Sequence, residues 1–170
     1  GSPLVGIRVA AAALDKGEAY AVVALHSLPN TRPDKADRLI VVDDALQTLQ
    51  ALAREHRREL GLPILAITGS NGKTTTKELV SRVLAEKYEV YATRGNLNNH
   101  IGVPLTLLAM TRDVEFGIVE MGASACGEIA LLCSIAEPNY GIVTNIGRAH
   151  LEGFGGPEGV RRGKGELSDW

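Results

Sequence analysis

The run Ile64 to Thr68, ILAIT, passes without interruption into Gly69-Ser70-Asn71-Gly72-Lys73-Thr74-Thr75, and helical spacing starts at once behind it. An apolar strand, a glycine turn and a helix start in that order constrain an architecture strongly. No polar residue alternates along the strand before Thr68, so it belongs in a sheet covered on both faces. Glycines let a backbone wrap closely around phosphate oxygens, a helix N-terminus aims free N–H groups at them, and Lys73 adds a point charge. The Thr74 hydroxyl suits a magnesium ion. The stretch departs from the general G-x-x-x-x-G-K-[ST] form, because Ile67 stands where the first glycine belongs and the turn glycine is Gly69. A strand-to-helix turn with a merely solvated lysine would explain the glycines, but not Gly-Lys-Thr-Thr opening a helix behind a buried strand. Gly69, Ser70, Asn71, Gly72, Lys73, Thr74 and Thr75 are therefore expected to hold nucleotide phosphates.

The rest of the chain fits around this unit. Apolar runs at Tyr20 to Leu25 and Leu39 to Val42 predict two short strands of one sheet, covered on both faces. Asp43-Asp44 then caps a helix whose apolar positions Leu46, Leu49, Ala53 and Leu60 recur at helical spacing up to Gly61. Gly61-Leu62-Pro63 stops it and the composition changes, so a domain boundary is expected near residue 62. Beyond it, strands Ile64–Thr68, Glu89–Ala92, Phe116–Glu120 and Tyr140–Asn145 alternate with helices Thr74–Lys87, Pro104–Met110 and Gly127–Ala136. The fold class expected is α/β, a mostly parallel sheet with helices on both faces and a phosphate-loop arrangement, preceded by part of a small α/β domain. Ligands of such sheets sit beyond the carboxyl ends of the strands.

Composition narrows the partners. The 170 residues carry a formal net charge of −2, with 18 basic residues dispersed along the chain, so neither nucleic acid nor an anionic membrane is expected as a partner. No apolar run reaches the ~18 residues of a membrane span and no signal peptide opens the chain, which reads as a cytoplasmic monomer. Cys126 and Cys133 fit neither zinc spacing nor a disulfide framework and are expected as buried thiols. Gly1-Ser2 looks like a protease scar, and the whole reads as a piece excised from a longer protein.

Further candidates stand at strand ends. Glu120 terminates FGIVE, placing a carboxylate where the phosphate loop also emerges, although a capping or surface glutamate is the plainer alternative. Asn98, Asn99 and His100 lie in a glycine-bounded loop; they suit positioning of a substrate carboxylate or phosphate, and equally suit ordinary turn conformations. Thr144 and Asn145 are weaker candidates for the same contact. Taken alone, His150 reads as a hydrogen-bonded loop residue, and Lys164 as a solvated lysine in the basic run Arg161-Arg162-Gly163-Lys164.

These segments acquire sharper roles from a resemblance. Thr68 to Lys77 reads TGSNGKTTTK, followed in order by GNLNNHIGVPL (Gly95–Leu105), EMGA (Glu120–Ala123), TNIGRAHLEGFG (Thr144–Gly155) and KGEL (Lys164–Leu167). The set resembles the Mur ligases, closest to the branch acting on D-alanyl-D-alanine, densely over residues 62–167 and only loosely over 1–61. That resemblance implies ATP-dependent amide formation between UDP-N-acetylmuramoyl-tripeptide and D-alanyl-D-alanine in peptidoglycan synthesis. ATP and Mg2+ would be the cofactors, and Lys73, His150 and Lys164 the catalytic groups. It assigns Glu120 to the Mg2+ that bridges the ATP phosphates, the ion that the Thr74 hydroxyl also suits. His150 would bind a second together with Lys164, converted by CO2 into a carbamate. Neighbouring Arg161 and Arg162 are expected to lower the Lys164 amine pKa, and the loop carrying it is expected to be poorly ordered, with the carbamate absent or partial. The uridine-binding, adenine-binding and C-terminal parts of the family are not visible, so the piece alone is expected not to turn over. Residues 1–61 would be part of the substrate-binding domain and 62–170 the first part of the ATP-binding domain. A sister ligase remains open, as does a phosphate-loop kinase or switch using Gly72-Lys73-Thr74. So does a nucleotide-binding domain without ligase chemistry.

Overall fold

The computed structural model describes residues 10–27, 36–147 and 151–170, and it divides into two compact units, 1–49 and 50–170. The first contains helical residues 10–15 (α1) and two strands, β1 (Ala21–Ala24) and β2 (Leu39–Val42), paired in parallel with Ala21 opposite Leu39. Both expected strands are present. The expectation that both faces are covered does not hold: Val23 and Ala24 are buried, but Val22, Ile40 and Val41 are exposed. An apolar run reports what a strand can bury, not which element is there to bury it.

Helix α2 (Ala45–Leu60) starts where Asp44 Oδ1 accepts from the N–H groups of Leu46 and Gln47, at 2.8 and 3.0 Å. It ends at Gly61, whose φ of +65° a side chain would resist. By packing, most of α2 goes with the second unit, ahead of the boundary expected near residue 62. Ala53 is buried in that unit's core, and Arg57 donates to the carbonyls of Ala136 and Glu137 at 3.0 and 2.8 Å, the free acceptors of a helix C-terminus.

The second unit is built on four parallel strands in the order β4-β5-β3-β6. These are β3 (Ile64–Thr68), β4 (Val90–Ala92), β5 (Phe116–Glu120) and β6 (Tyr140–Val143). The strand found first in the sequence is central and buried at every position. Its side chains alternate between two cores. Leu65 and Ile67 meet Ile118, Val80 and Leu84, the latter two on α3 (Lys73–Leu84). Ile64 and Ala66 face the larger core with α4 (Gly102–Leu108) and α5 (Glu128–Ala136). Helices thus cover both faces, as expected. Two helices were not foreseen, α6 (Leu151–Phe154) and α7 (Pro157–Gly165). Their glycine-rich, charged sequence hides the pattern; Pro157 at the first position of α7 was the available signal. Because the strands are parallel, Thr68, Ala92, Glu120 and Val143 end on one edge, and the site forms there.

Candidate functional site

The loop over residues 69–75 is held in shape by its glycines and by bonds to residues after β6. Gly69 has φ of +140°, and a Cβ there would collide with the Thr144 hydroxyl; Gly72, at +77°, is the residue from which α3 starts. Residues after β6 brace the loop. Ser70 N–H donates to Asn145 O (3.1 Å), Asn71 N–H to Asn145 Oδ1 (3.1 Å), and Asn145 Nδ2 back to Asn71 O (3.0 Å). Thr144 Oγ1 donates to the same Asn71 carbonyl at 2.6 Å, and Gly147 N–H to Ser70 Oγ at 2.9 Å. Thr144 and Asn145 are thus tied to the loop backbone. Lys73 crosses the loop, its Nζ donating to Gly69 O at 2.9 Å.

Glu120 lies beside the start of α3. Its Oε2 accepts from Thr74 Oγ1 and its Oε1 from Asn98 Nδ2, each at 3.0 Å. The residue is 2% exposed, and these donors are neutral. A carboxylate removed from water with no cationic partner among the described residues is costly unless a cation joins it. A hydroxyl and a carboxylate side by side are hard oxygen donors of the kind Mg2+ takes, with nucleotide phosphates and water completing the shell. Among the described residues no cluster of three or more His, Cys, Asp or Glu could form an all-protein metal cage.

Two hollows meet at Lys73. One, about 350 Å³, is lined by Ser70 to Thr75, Asn96, Asn98 and Glu120. The other, about 450 Å³, is lined by Gly69, Ser70, Lys73, Asn98, Asn99, His100, Gly122 to Ser124, Glu128, Leu131, Leu132 and Lys164. Ser70, Lys73 and Asn98 belong to both. Asn99 does a further job, its Oδ1 accepting from the N–H groups of Ile101 and Gly102 (3.1 and 2.9 Å) where α4 begins.

Lys164 is neither solvated nor on a loop. It sits near the end of α7, buried, with Nζ donating to Ala123 O at 3.0 Å and 5.2 Å from the Phe154 ring centroid. Burial, and then the charge of Lys73, hold its amine down to about 8, against the opposing pull of Glu128 and Glu166. The expected agents, Arg161 and Arg162, are not the cause: both are exposed, and Arg162 turns to Cys126 Sγ at 3.5 Å. His150 lies outside the described residues.

Several site groups escaped the sequence reading. Glu128 is the one carboxylate lining the larger hollow among the described residues. Backbone N–H groups of Ser124 (2.6 Å) and Ala125 (3.2 Å) bind it, and with Lys164 they hold its carboxyl below the usual range. Glu166 bonds the N–H groups of Gly127 (2.6 Å) and Ala130 (3.0 Å), tying α7 to the start of α5. An acid beside the N-terminus of a helix was the signal for Glu128; nothing local marked Glu166. Of the two cysteines, Cys133 is buried, its thiol pushed up to about 11 chiefly by burial, whereas Cys126 is only half-buried.

With this geometry in place, comparison with known proteins becomes specific. A profile described as the Mur ligase middle domain matches residues 67–170. The chain belongs to the Mur ligase family. It is 47% identical over 147 residues to the UDP-N-acetylmuramoyl-tripeptide--D-alanyl-D-alanine ligase of Bacillus subtilis strain 168, which covers 86% of this chain and 32% of that ligase. To the ligase of the same name in Escherichia coli K12 it is 41% identical over 128 residues, 75% of this chain and 28% of the relative. Among solved structures, MurF from Acinetobacter baumannii superposes with a TM-score of 0.83 at 35% identity over 94% of this chain and 34% of that one. MurF ligase from Thermotoga maritima in complex with ADP does so with 0.79 at 37% identity, over 91% and 35%. The chain therefore spans about a third of the length of the Mur ligases it matches. No helix among its described residues is long and apolar enough to cross a membrane.

Proposed function

We propose that this chain is the phosphate- and metal-holding part of an ATP-dependent, ADP-forming ligase that joins D-alanyl-D-alanine to UDP-N-acetylmuramoyl-tripeptide in peptidoglycan synthesis. The observation that carries the reading is the convergence of two hollows on Lys73, with Thr74 and Glu120 on one side and Lys164 on the other. Matches to ligases of that name over most of the chain, and a neighbour solved with ADP, support the choice within the family.

On this reading the triphosphate lies along the loop, with the N–H groups at the start of α3 and the Lys73 ammonium facing its β- and γ-phosphates. Thr74 and Glu120 would hold Mg2+, which offsets charge on the transferring phosphoryl group. The tripeptide carboxylate enters the larger hollow, where Lys73 brings it within reach of the γ-phosphoryl group. The carboxylate oxygen attacks phosphorus, ADP leaves, and the resulting acyl phosphate is attacked by the amine of D-alanyl-D-alanine. Collapse of the tetrahedral adduct expels inorganic phosphate. The chain's contribution is to position and to neutralise, since two anions must approach each other. Asn98, Asn99 and His100 orient the substrate from the rim.

Lys164 would join the second metal position together with His150. With its amine pKa near 8, a useful fraction is neutral close to physiological pH. The neutral nitrogen adds to CO2 and releases a proton, giving a carbamate, an anionic oxygen donor in place of a cation. Burial against Phe154 and Ala123 orders the group.

The test is calorimetric titration of MgADP into this chain and into its Lys73→Ala variant. Wild type should bind, and the variant should bind on the order of 100-fold more weakly with its melting temperature unchanged. Equal affinities, or no binding to wild type, would remove the phosphate-site assignment.

A further inference from the structure

Lys77 lies one turn beyond Lys73 on α3 and is as buried as any charged residue described, at 2% exposure. The phosphate-site reading gives it no task. An ammonium withdrawn from water is costly, and an apolar side chain of similar length would fill the same space, so its polar contacts must account for it. Its Nζ donates to Thr93 O at 2.6 Å and pairs with Glu78 Oε1 at 3.2 Å. Glu78 is largely exposed, so Thr93 is the inward partner.

Thr93 is itself fully engaged. Its N–H donates to Ile118 O, and its Oγ1 accepts from Glu120 N–H, each at 2.9 Å. Its carbonyl takes Lys77. Thr93 follows β4 and opens the segment leading to Asn98, whose Nδ2 reaches Glu120 Oε1 and whose carbonyl accepts from Gly122 N–H at 2.7 Å. Helix α3 therefore reaches Glu120 twice, directly through the Thr74 hydroxyl and indirectly through Lys77 and Thr93.

We propose that Lys77 is a positioning residue for the metal-holding pair: by clamping Thr93 to α3 it fixes the end of β5 and the Asn98 segment, so that Thr74 and Glu120 present their oxygens together. The inference rests on the phosphate-site reading only for the identity of the ligand. The clamp is a property of the ligand-free chain. It acts on the cation rather than on the phosphates, because the braces of the loop itself come from Thr144, Asn145 and Gly147.

The experiment compares wild type with Lys77→Met, which keeps length and removes the donors, and Lys77→Arg, which restores a cation. Each is titrated with ADP in the presence of Mg2+ and, separately, in EDTA. Exchange of the Glu120 amide is followed by NMR without ligand. Lys77→Met should lose about tenfold or more in affinity for MgADP, the order expected when a group behind a metal ligand is removed. It should change metal-free ADP binding by no more than about twofold and accelerate Glu120 amide exchange; Lys77→Arg should recover part of both effects. Should Lys77→Met fail to fold, Thr93→Val, which removes only the hydroxyl that Glu120 N–H bonds, carries the same expectation. An equal loss with and without Mg2+ would overturn the proposal, as would MgADP affinity matching wild type. If wild type bound no nucleotide, the phosphate-site reading would fall. Unchanged amide exchange in Lys77→Met would then overturn this inference, and faster exchange would uphold it.

Discussion

The two hollows that meet at Lys73 are made in opposite ways. The smaller is walled mostly by one contiguous stretch, Ser70 to Thr75 with Lys73 among them, to which Asn96, Asn98 and Glu120 are added. The larger is gathered from separate segments, around Gly69 to Lys73, Asn98 to His100, Gly122 to Leu132, and Lys164, and two of its charged side chains, Glu128 and Lys164, have shifted acid-base behaviour. Apart from Lys73, which both share, the first should break when backbone shape changes and the second when charge changes. The contrast teaches where each half of the proposed chemistry would be stored: phosphate recognition largely in a local conformation, acceptor-side chemistry in tertiary placement.

The most damaging change should be Gly69→Ala. A φ of +140° disfavours any side chain by ~1–3 kcal/mol, and the new methyl group would press on the Thr144 hydroxyl and on the backbone nitrogens of Thr144 and Asn145, 3.1 Å away. Thermal melting should fall and MgADP binding should weaken by on the order of 100-fold, with the Lys164 amine still titrating below its ordinary range. An alanine variant that binds MgADP like wild type would break the claim that backbone shape makes this hollow.

Lys164→Met tests the other side through pH. The folded amine loses its proton near 8, whereas a lysine in the unfolded chain keeps it to about 10.5. Between those values the unfolded state binds more protons, so wild-type stability rises with pH across the window, and below 8 the burial penalty is fully present. Urea unfolding should show this rise, on the order of 2 kcal/mol, in wild type and not in the methionine variant. The two proteins should bind MgADP within about twofold of each other, since the lysine lies outside the smaller hollow. A rise of the same size in both would mean that water reaches the amine and that burial does not set its pKa.

The smallest effect is expected from Glu166→Gln, which weakens the tie between α7 and the start of α5. Loss of one charge-assisted pair of N–H bonds at a helix N-terminus should cost about 1 kcal/mol in chemical denaturation, with MgADP affinity unchanged. A larger loss accompanied by weakened nucleotide binding would show that the two hollows are not independent.

How much of this was readable follows from where the information sits. The strand Ile64–Thr68, the loop after it and the capped helix from Asp44 are local devices, and each occurs where its residues place it. The helices α6 and α7 were missed because glycine, proline and charge mask a short amphipathic pattern. Lys164 stood out only by family resemblance; read alone, its basic neighbours suggested a solvated side chain. Thr144 and Asn145 were found as strand-end polar residues, but their bonds to Asn71 and Ser70 come from a strand more than seventy positions away, and no spacing reports such a partner.

The sequence by itself determined the alternation of strands and helices, the burial of the strand Ile64–Thr68, and the glycine loop that runs from it into a helix, because hydrophobic period, glycine and helix capping act over a few residues. Tertiary structure alone decided the rest. Glu120 became a buried carboxylate between Thr74 and Asn98, Lys77 became a clamp on Thr93, and Lys164 became an amine titrating near 8. The physical reason is that desolvation and charge–charge interaction depend on distance in space and on access to water, and neither is a property of neighbours along the chain.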